Sequence, residues 1–307
     1  LTRVAAWIIQ RTIYLQRKIN VMINQLKAQL RKRLPAGVYS RMAHSYHVLR
    51  DVVHSAPNAR TPEGLPVPPE ELIFVGGGDF LAIGNEFLGY FTRLGGLKPE
   101  HRVLDVGCGI GRMAVPLLDF LSRKGSYEGF DIVPHGIDWC KENITPRNPK
   151  FQFQLADIAN QHYNPSGKYA AEKYGFPYPD KSFDLIFLTS VFTHLPAAAV
   201  ANYIAEIFRV MKPGGRCLIT WFILNPESQL LIEQGRSTRN IRYPLEGCMT
   251  ENPAVPEMAI GYMEDRVRTL YKEVGLVLAE PINFGTWCSR QSGLSYQDIC
   301  VASRPRD

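Results

Sequence analysis

The stretch Val103-Leu104-Asp105-Val106-Gly107-Cys108-Gly109-Ile110-Gly111 is an apolar run that ends in an acid and three alternate glycines. Residues of these types at this spacing suit a buried strand that turns sharply into a helix while a ligand touches the backbone. A side chain at the glycines would block the turn and hold a ligand away from the main-chain N–H groups. Further acids follow at the ends of apolar runs. Tyr127 to Phe130 ends at Asp131, and Phe151 to Leu155 leads through Ala156 to Asp157. Phe183 to Thr189 runs into Ser190. Any of these acids could instead serve as a helix N-cap.

These residues need elements to hold them. Ala197 to Val210 reads as a helix, Lys212-Pro213-Gly214-Gly215 as its stop and turn, and Arg216 to Leu224 as another apolar strand. Strand and helix alternate, which argues for an α/β protein with a parallel sheet covered on both faces. Such sheets bind ligands at the carboxyl ends of their strands, where the acids fall. Leu276 to Phe284 and Leu294 to Ala302 read as two strands separated by Gly285 to Gly293, an antiparallel hairpin closing one edge.

From about Gly76 to Leu224, and again near the C-terminus, the chain resembles the class I S-adenosylmethionine-dependent methyltransferases, in particular their small-molecule branch. The resemblance rests on Asp105 with Gly107, Gly109 and Gly111, on Asp131 and Asp157, on Phe176-Pro177-Tyr178-Pro179-Asp180-Lys181-Ser182-Phe183-Asp184, and on Lys212-Pro213-Gly214-Gly215. It implies a doubly wound, seven-stranded, mostly parallel sheet with an antiparallel last strand. It also implies S-adenosyl-L-methionine as cofactor. Asp131 would accept hydrogen bonds from the ribose hydroxyls, Asp157 would take the adenine amino group, and Asp105 with the glycine backbone would hold the methionine end. Cys108, Arg112, Ile132, Ile158 and Thr189 would complete the cofactor site. A nicotinamide dinucleotide site is the competing reading. It calls for Gly or Ala where Arg112 stands, because the helix must pack closely beneath a pyrophosphate.

Methyl transfer to a hydroxyl requires alignment, exclusion of water and removal of a proton. His194, in Thr189-Ser190-Val191-Phe192-Thr193-His194 after the fourth strand, is the candidate general base, since imidazole titrates near neutral pH. A cap or a packing residue is the alternative; His162, Tyr163 and Asp298 are weaker candidate bases. Enzymes that methylate exocyclic amines place Asn/Asp-Pro-Pro-Tyr after this strand, where this chain has Thr189-Ser190-Val191-Phe192. The expected acceptor is therefore a small-molecule oxygen on a sugar, natural product or lipid-linked group, with carbon and amine acceptors left open. Phe192, Trp221 and Phe222 suit either an apolar pocket wall or ordinary core. Arg290 suits either a surface ion pair or a grip on substrate.

Charge divides the chain. Residues 1 to 50 hold ten of its 35 Lys and Arg and none of its 29 Asp and Glu, so the other 257 residues carry a formal −4. Ile8, Leu15, Ile19, Met22 and Leu26 form one apolar stripe, so segment 1–34 is expected to be a basic amphipathic helix. Contact with a second subunit in a homo-oligomer, packing on the catalytic domain, and attachment to an anionic membrane surface all fit it. Nucleic acid fits poorly, for the basic residues are not interleaved with aromatics and the rest of the chain carries no basic field. A non-catalytic, cofactor-binding scaffold working through this helix is the alternative to an enzyme.

Residues 35–75, rich in proline from Pro57 to Pro69, are expected to form a connector, and 76–307 the methyltransferase domain. Within it, about 158–175 and 225–263 exceed a minimal sheet and are natural lid material. Gly76-Gly77-Gly78-Asp79 suits a backbone closing over the cofactor or a helix start capped by Asp79. No run approaches the roughly 20 apolar residues of a membrane span. No secretory signal is apparent, and the six cysteines lack a Cys-x-x-Cys pair and read as reduced, buried thiols, with no metal site. The expected location is cytoplasmic, or peripheral at the inner membrane face. The chain opens at Leu1 rather than Met, and a natural start upstream is expected.

Overall fold

The computed structural model describes residues 59–60 and 64–306 except His162, all within the compact unit Asn58–Asp307. The expected basic helix of 1–34 lies outside these residues, as do the oligomer and membrane contacts assigned to it and the candidate base His162.

Seven strands form the main sheet: β1 Arg102–Val106, β2 Ser126–Asp131, β3 Phe151–Leu155, β4 Phe183–Leu188, β5 Met211–Trp221, β6 Val277–Leu278 and β7 Asp298–Ser303. Their spatial order is β6-β7-β5-β4-β1-β2-β3. β1 to β5 pair in parallel, and β7 runs antiparallel to both β5 and β6. This is the doubly wound sheet with an antiparallel last strand that the sequence implies.

Alternate strand residues feed two separate cores. Leu104, Val106, Ile186, Leu188, Ile219 and Trp221 point to one face, and Val103, Leu185, Phe187 and Leu218 to the other. The helices α1 Phe80–Arg93, α2 Ala114–Phe120 and α3 Pro134–Asn143 cover the second face, and α4 Ala197–Val210 and α6 Glu264–Glu273 the first. Strands buried on both sides have no polar face to expose, so their sequences read as nearly unbroken apolar runs. Asp79 caps α1, its Oδ1 accepting from the Ala82 amide at 2.7 Å. Strand order reverses between β1 and β4, which opens a crevice at their carboxyl ends.

Three expectations are adjusted. The apolar run after Gly215 is broken at Phe222: β5 ends at Trp221, and Ile223–Leu224 begins a second sheet, in the order 223–224, 260–263, 248–250, 243–245. The Ile223 amide donates to Asp298 Oδ2 at 2.7 Å rather than to a neighbouring main-sheet strand. The segment 225–263, expected as lid material, is a folded cap with its own helix α5, Pro226–Glu233. The closing hairpin is shorter than expected: Val277 and Leu278 pair with Ser303 and Ala302, and then only Asn283 bridges to Ile299, Pro281 having no amide to give to the ladder. Leu72, Ile73, Phe74 and Val75, at the end of the expected connector, pack on the core. All six cysteines are free and buried. No described helix is long and apolar enough to cross a membrane.

Candidate active site

The turn after β1 is built from backbone that a side chain would not tolerate. Gly107 has φ +80°, and a Cβ there would stand 2.4 Å from Val191 Cγ2. Gly111 has φ +78° and would meet Ile144 Cδ1 at 2.6 Å. The amides of Gly107 and Cys108 donate to the Phe130 carbonyl at 2.8 and 3.1 Å. The turn is thereby tied to the end of β2.

Asp131 completes that tie. Its Oδ2 accepts from the Gly109 amide at 2.8 Å and its Oδ1 from the Val133 amide at 2.9 Å. Burial pushes its carboxyl above the usual range, while the amides of Gly109, Val133 and Ile132 pull it back down. Each oxygen has used one acceptor position, so the carboxylate can still accept from two hydroxyls.

Beside the turn lies a cavity of about 590 Å³. Gly107, Cys108, Arg112, Asp131, Ile132, Ile158, Thr189 and His194 line it, so eight of the twelve residues expected at the site come together there. Gly109 and Gly111 shape the turn without lining the cavity. Arg112 donates through Nη2 to the carbonyls of Val75 and Gly76 and lies over the Phe80 ring. It thereby fastens the segment 74–77 against the glycine turn; Asp79 caps a helix, while Gly76 and Gly77 border the cavity.

Asp105 and Asp157 are placed differently from expectation. Asp105 is wholly buried behind the turn, with Oδ2 accepting from the Tyr127 hydroxyl at 2.7 Å and Oδ1 without a partner. It does not border the cavity, because its side chain points into the sheet toward Tyr127. Burial pushes its carboxyl up to about 8, against the lowering effect of the Tyr127 hydrogen bond. Asp157 turns outward. Its side chain is 37% exposed and pairs with Lys168 at 3.3 Å. The hydrogen bond from Lys168 holds its carboxyl below the usual range. Asn160, which carries no sequence pattern of its own, lines the cavity instead.

The cap and the C-terminal loop supply the other wall. Phe222, Arg239, Met258, Tyr296 and Gln297 border the cavity with Tyr163 and His194. His194 closes a short 3-10 turn, Phe192–His194, and its Nδ1 lies 2.8 Å from the Glu257 carbonyl of the cap. A carbonyl only accepts, so Nδ1 carries the hydrogen, and the basic lone pair of the neutral ring sits on Nε2. The Tyr163 ring meets the imidazole edge-on at 5.6 Å. Ser190 takes φ +63°, a left-handed conformation rare outside glycine. Thr220 Oγ1 accepts its amide at 2.7 Å, and its Oγ accepts from Gln297 Nε2 at 2.9 Å. Backbone strain of this kind clusters at working sites.

Of the three aromatics weighed for the pocket wall, Phe222 borders the cavity. Phe192 and Trp221 are core, packed edge-to-face at 4.7 Å. Arg290 bridges the buried Asp298 and the exposed Glu227, and neither Arg290 nor Asp298 borders the cavity. Asp298 is wholly buried and accepts from the amides of Ile223 and Gly285 and from Trp287 Nε1, each at 2.7 Å, and from Arg290 Nη1 at 3.0 Å. Arg290 reaches on to Glu227 at 2.7 Å. This network joins β7, the loop before it and the start of the cap.

Residues 103–215 match the family model described as Methyltransferase domain. The chain is 27% identical over 147 residues to phosphoethanolamine N-methyltransferase 1 of Arabidopsis thaliana, a stretch covering 47% of this chain and 26% of that protein. It is 25% identical over 185 residues to tRNA N(3)-cytidine methyltransferase METTL2 of Danio rerio, covering 59% and 46%. The match to sterol 24-C-methyltransferase erg6 of Schizosaccharomyces pombe is 30% over 122 residues, covering 39% and 27%. The chain thus spans less than half the length of each of these three relatives. The PH0226 protein of Pyrococcus horikoshii superposes with a TM-score of 0.52 at 16% identity, over 76% of this chain and 94% of that one, a likeness of fold.

Proposed function

On the premise that this chain carries a class I S-adenosylmethionine-dependent methyltransferase domain, we propose that it transfers the methyl group to a hydroxyl oxygen of a small-molecule acceptor, with His194 as general base. The cofactor is S-adenosylmethionine. The cradle suits it: the backbone of Gly107 and Cys108 borders the cavity, and Asp131 beside it keeps acceptor positions for hydroxyls. The bound cofactor supplies a methyl on a sulfonium, and the electron pair of the breaking C–S bond returns to sulfur. What remains for the protein is to align the acceptor oxygen, exclude water and remove one proton.

The observation that carries the oxygen acceptor is the placement of His194. It borders the cavity, and its Nδ1–H is fixed on the cap by the Glu257 carbonyl. Nε2 is then the atom that takes the hydroxyl proton. Holding the reactants in line contributes about 7 to 11 kcal/mol of the barrier, and the base a further 10²- to 10⁴-fold in rate, as is typical. The named relatives act on nitrogen and on carbon, so the oxygen assignment depends on this chain's own residues.

The test is transfer from tritiated methyl donor to fractionated extract of the source cells, with the labelled product cleaved by alkali or acid. A methyl ether survives alkali. Label on a basic nitrogen, or on carbon, would overturn the oxygen assignment.

A further inference from the structure

Among the described residues, four Arg, Asp or His side chains border the cavity: Arg112, Asp131, His194 and Arg239. Three have tasks already. Arg112 is bound to the carbonyls of Val75 and Gly76, Asp131 holds the amides of Gly109 and Val133, and His194 leans on Glu257. Arg239 has none within the fold of the cofactor half, for it belongs to the cap.

We infer that Arg239 is the anchor for an acidic acceptor, one that carries a carboxylate or phosphate on an apolar body. This rests on the methyltransferase reading and names the acceptor class. A guanidinium has five N–H donors. Arg239 donates from Nη1 to Glu251 Oε2 at 3.1 Å. That partner anchors one arm of the fork without exhausting it, and the side chain, 38% exposed, borders the cavity. A planar fork held in place from behind is the arrangement that recognises carboxylates and phosphates. Phe222, Met258 and Tyr163 line the same wall and suit an apolar body.

The carboxylates next to these groups are already engaged, Glu251 by Arg239 and Asp131 by two turn amides. Among the described residues, Asp131 is the sole carboxylate bordering the cavity, and it belongs to the glycine turn. A cationic acceptor would find Arg239 and no free counter-charge on the cap wall. Tyr163 packs edge-on against His194 and lines the same cavity as Arg239. Arg239 and His194 border the same cavity, so an acceptor held by its acidic end at Arg239 lies in the space that also holds the proposed base.

The test uses the full chain saturated with S-adenosylhomocysteine and four calorimetric probes: octanoate, octyl phosphate, octan-1-ol and octylamine. The expected result is that at least one anion binds about tenfold or more tighter than the alcohol and the amine. Arg239→Gln erases that preference and Arg239→Lys keeps part of it, with homocysteine-nucleoside affinity and melting unchanged in both. The stronger of the two anions distinguishes carboxylate from phosphate. No anion binding, equal binding of alcohol and anion, or a preference that survives Arg239→Gln overturns the inference. If Arg239→Gln does not melt cooperatively, the salt dependence in the parent decides: affinity that falls with added NaCl supports the ion pair, and a salt-invariant one overturns it. Failure of S-adenosylhomocysteine to bind the parent would instead bring down the methyltransferase reading.

Discussion

The amide of Gly109 donates to Oδ2 of Asp131 at 2.8 Å, so the acid that ends the second strand holds the loop that follows the first. The residue proposed to hold the cofactor's ribose also sets the shape of the glycine turn. The two duties separate in a graded series of variants.

Asp131→Ala removes two hydrogen bonds to a charged acceptor, each worth about 1.5 to 3 kcal/mol. S-adenosylhomocysteine binding is expected to fall beyond calorimetric detection, with the chain also destabilised by a few kcal/mol. Asp131→Asn keeps one carbonyl acceptor and is expected to lose less of both. Equal stability of Ala variant and parent in urea melts would show that the tie to Gly109 is idle.

Gly107→Ala places a methyl 2.4 Å from Val191 Cγ2 on a backbone with φ +80°. The left-handed conformation alone costs about 1 to 2 kcal/mol. Val191 borders the cavity, so its displacement is expected to weaken cofactor binding about tenfold or more. A thermal melt and a binding isotherm on one preparation check both effects.

Asp105 gives stability a pH dependence. Burial raises its carboxyl from 3.8 to about 8, so the folded chain holds a proton that the unfolded chain has released. The stability attached to this group is full below about 4, falls as pH climbs toward 8 and levels above that. The slope is at most about 1.4 kcal/mol per pH unit. Urea melts of parent and Asp105→Asn across this range should differ in slope, with the Asn variant flatter; parallel curves would place an ionised carboxylate behind the turn.

His194→Asn removes the proposed base and leaves the glycine turn and Asp131 in place. Turnover on the true acceptor is expected to fall about 10²- to 10⁴-fold, while S-adenosylhomocysteine affinity stays at the parent value. Parent-rate turnover by this variant would assign the proton to another acceptor group.

Much of this was legible in the residues, because it is dictated locally. The alternation of buried runs and the left-handed turn at Gly107 follow from backbone sterics and burial, and so does the acid that closes the next strand. Asp157 shares the strand-end position of Asp131, but its direction depends on Lys168, which returns across the loop from 158 to 169. Nothing in the strand records that return. Arg239 lies in a stretch with no periodicity, and reaches the cavity because Ile223 pairs with Tyr262, a contact across 39 positions. The break at Phe222 has the same origin: an apolar run cannot show that the buried Asp298 will claim the Ile223 amide. Burial and periodicity specify layers, whereas long-range polar pairs decide which end of a layer does the work.

Ile223 and Leu224 lie beside Tyr262 and Met263, so the excursion between them departs from the sheet and rejoins it at adjacent points. Such a stretch behaves as an exchangeable module. A graft of the corresponding stretch from a relative, inserted at these two points together with its partners for Asp298 and Arg290, is expected to leave the nucleoside cradle intact and to redirect the choice of acceptor.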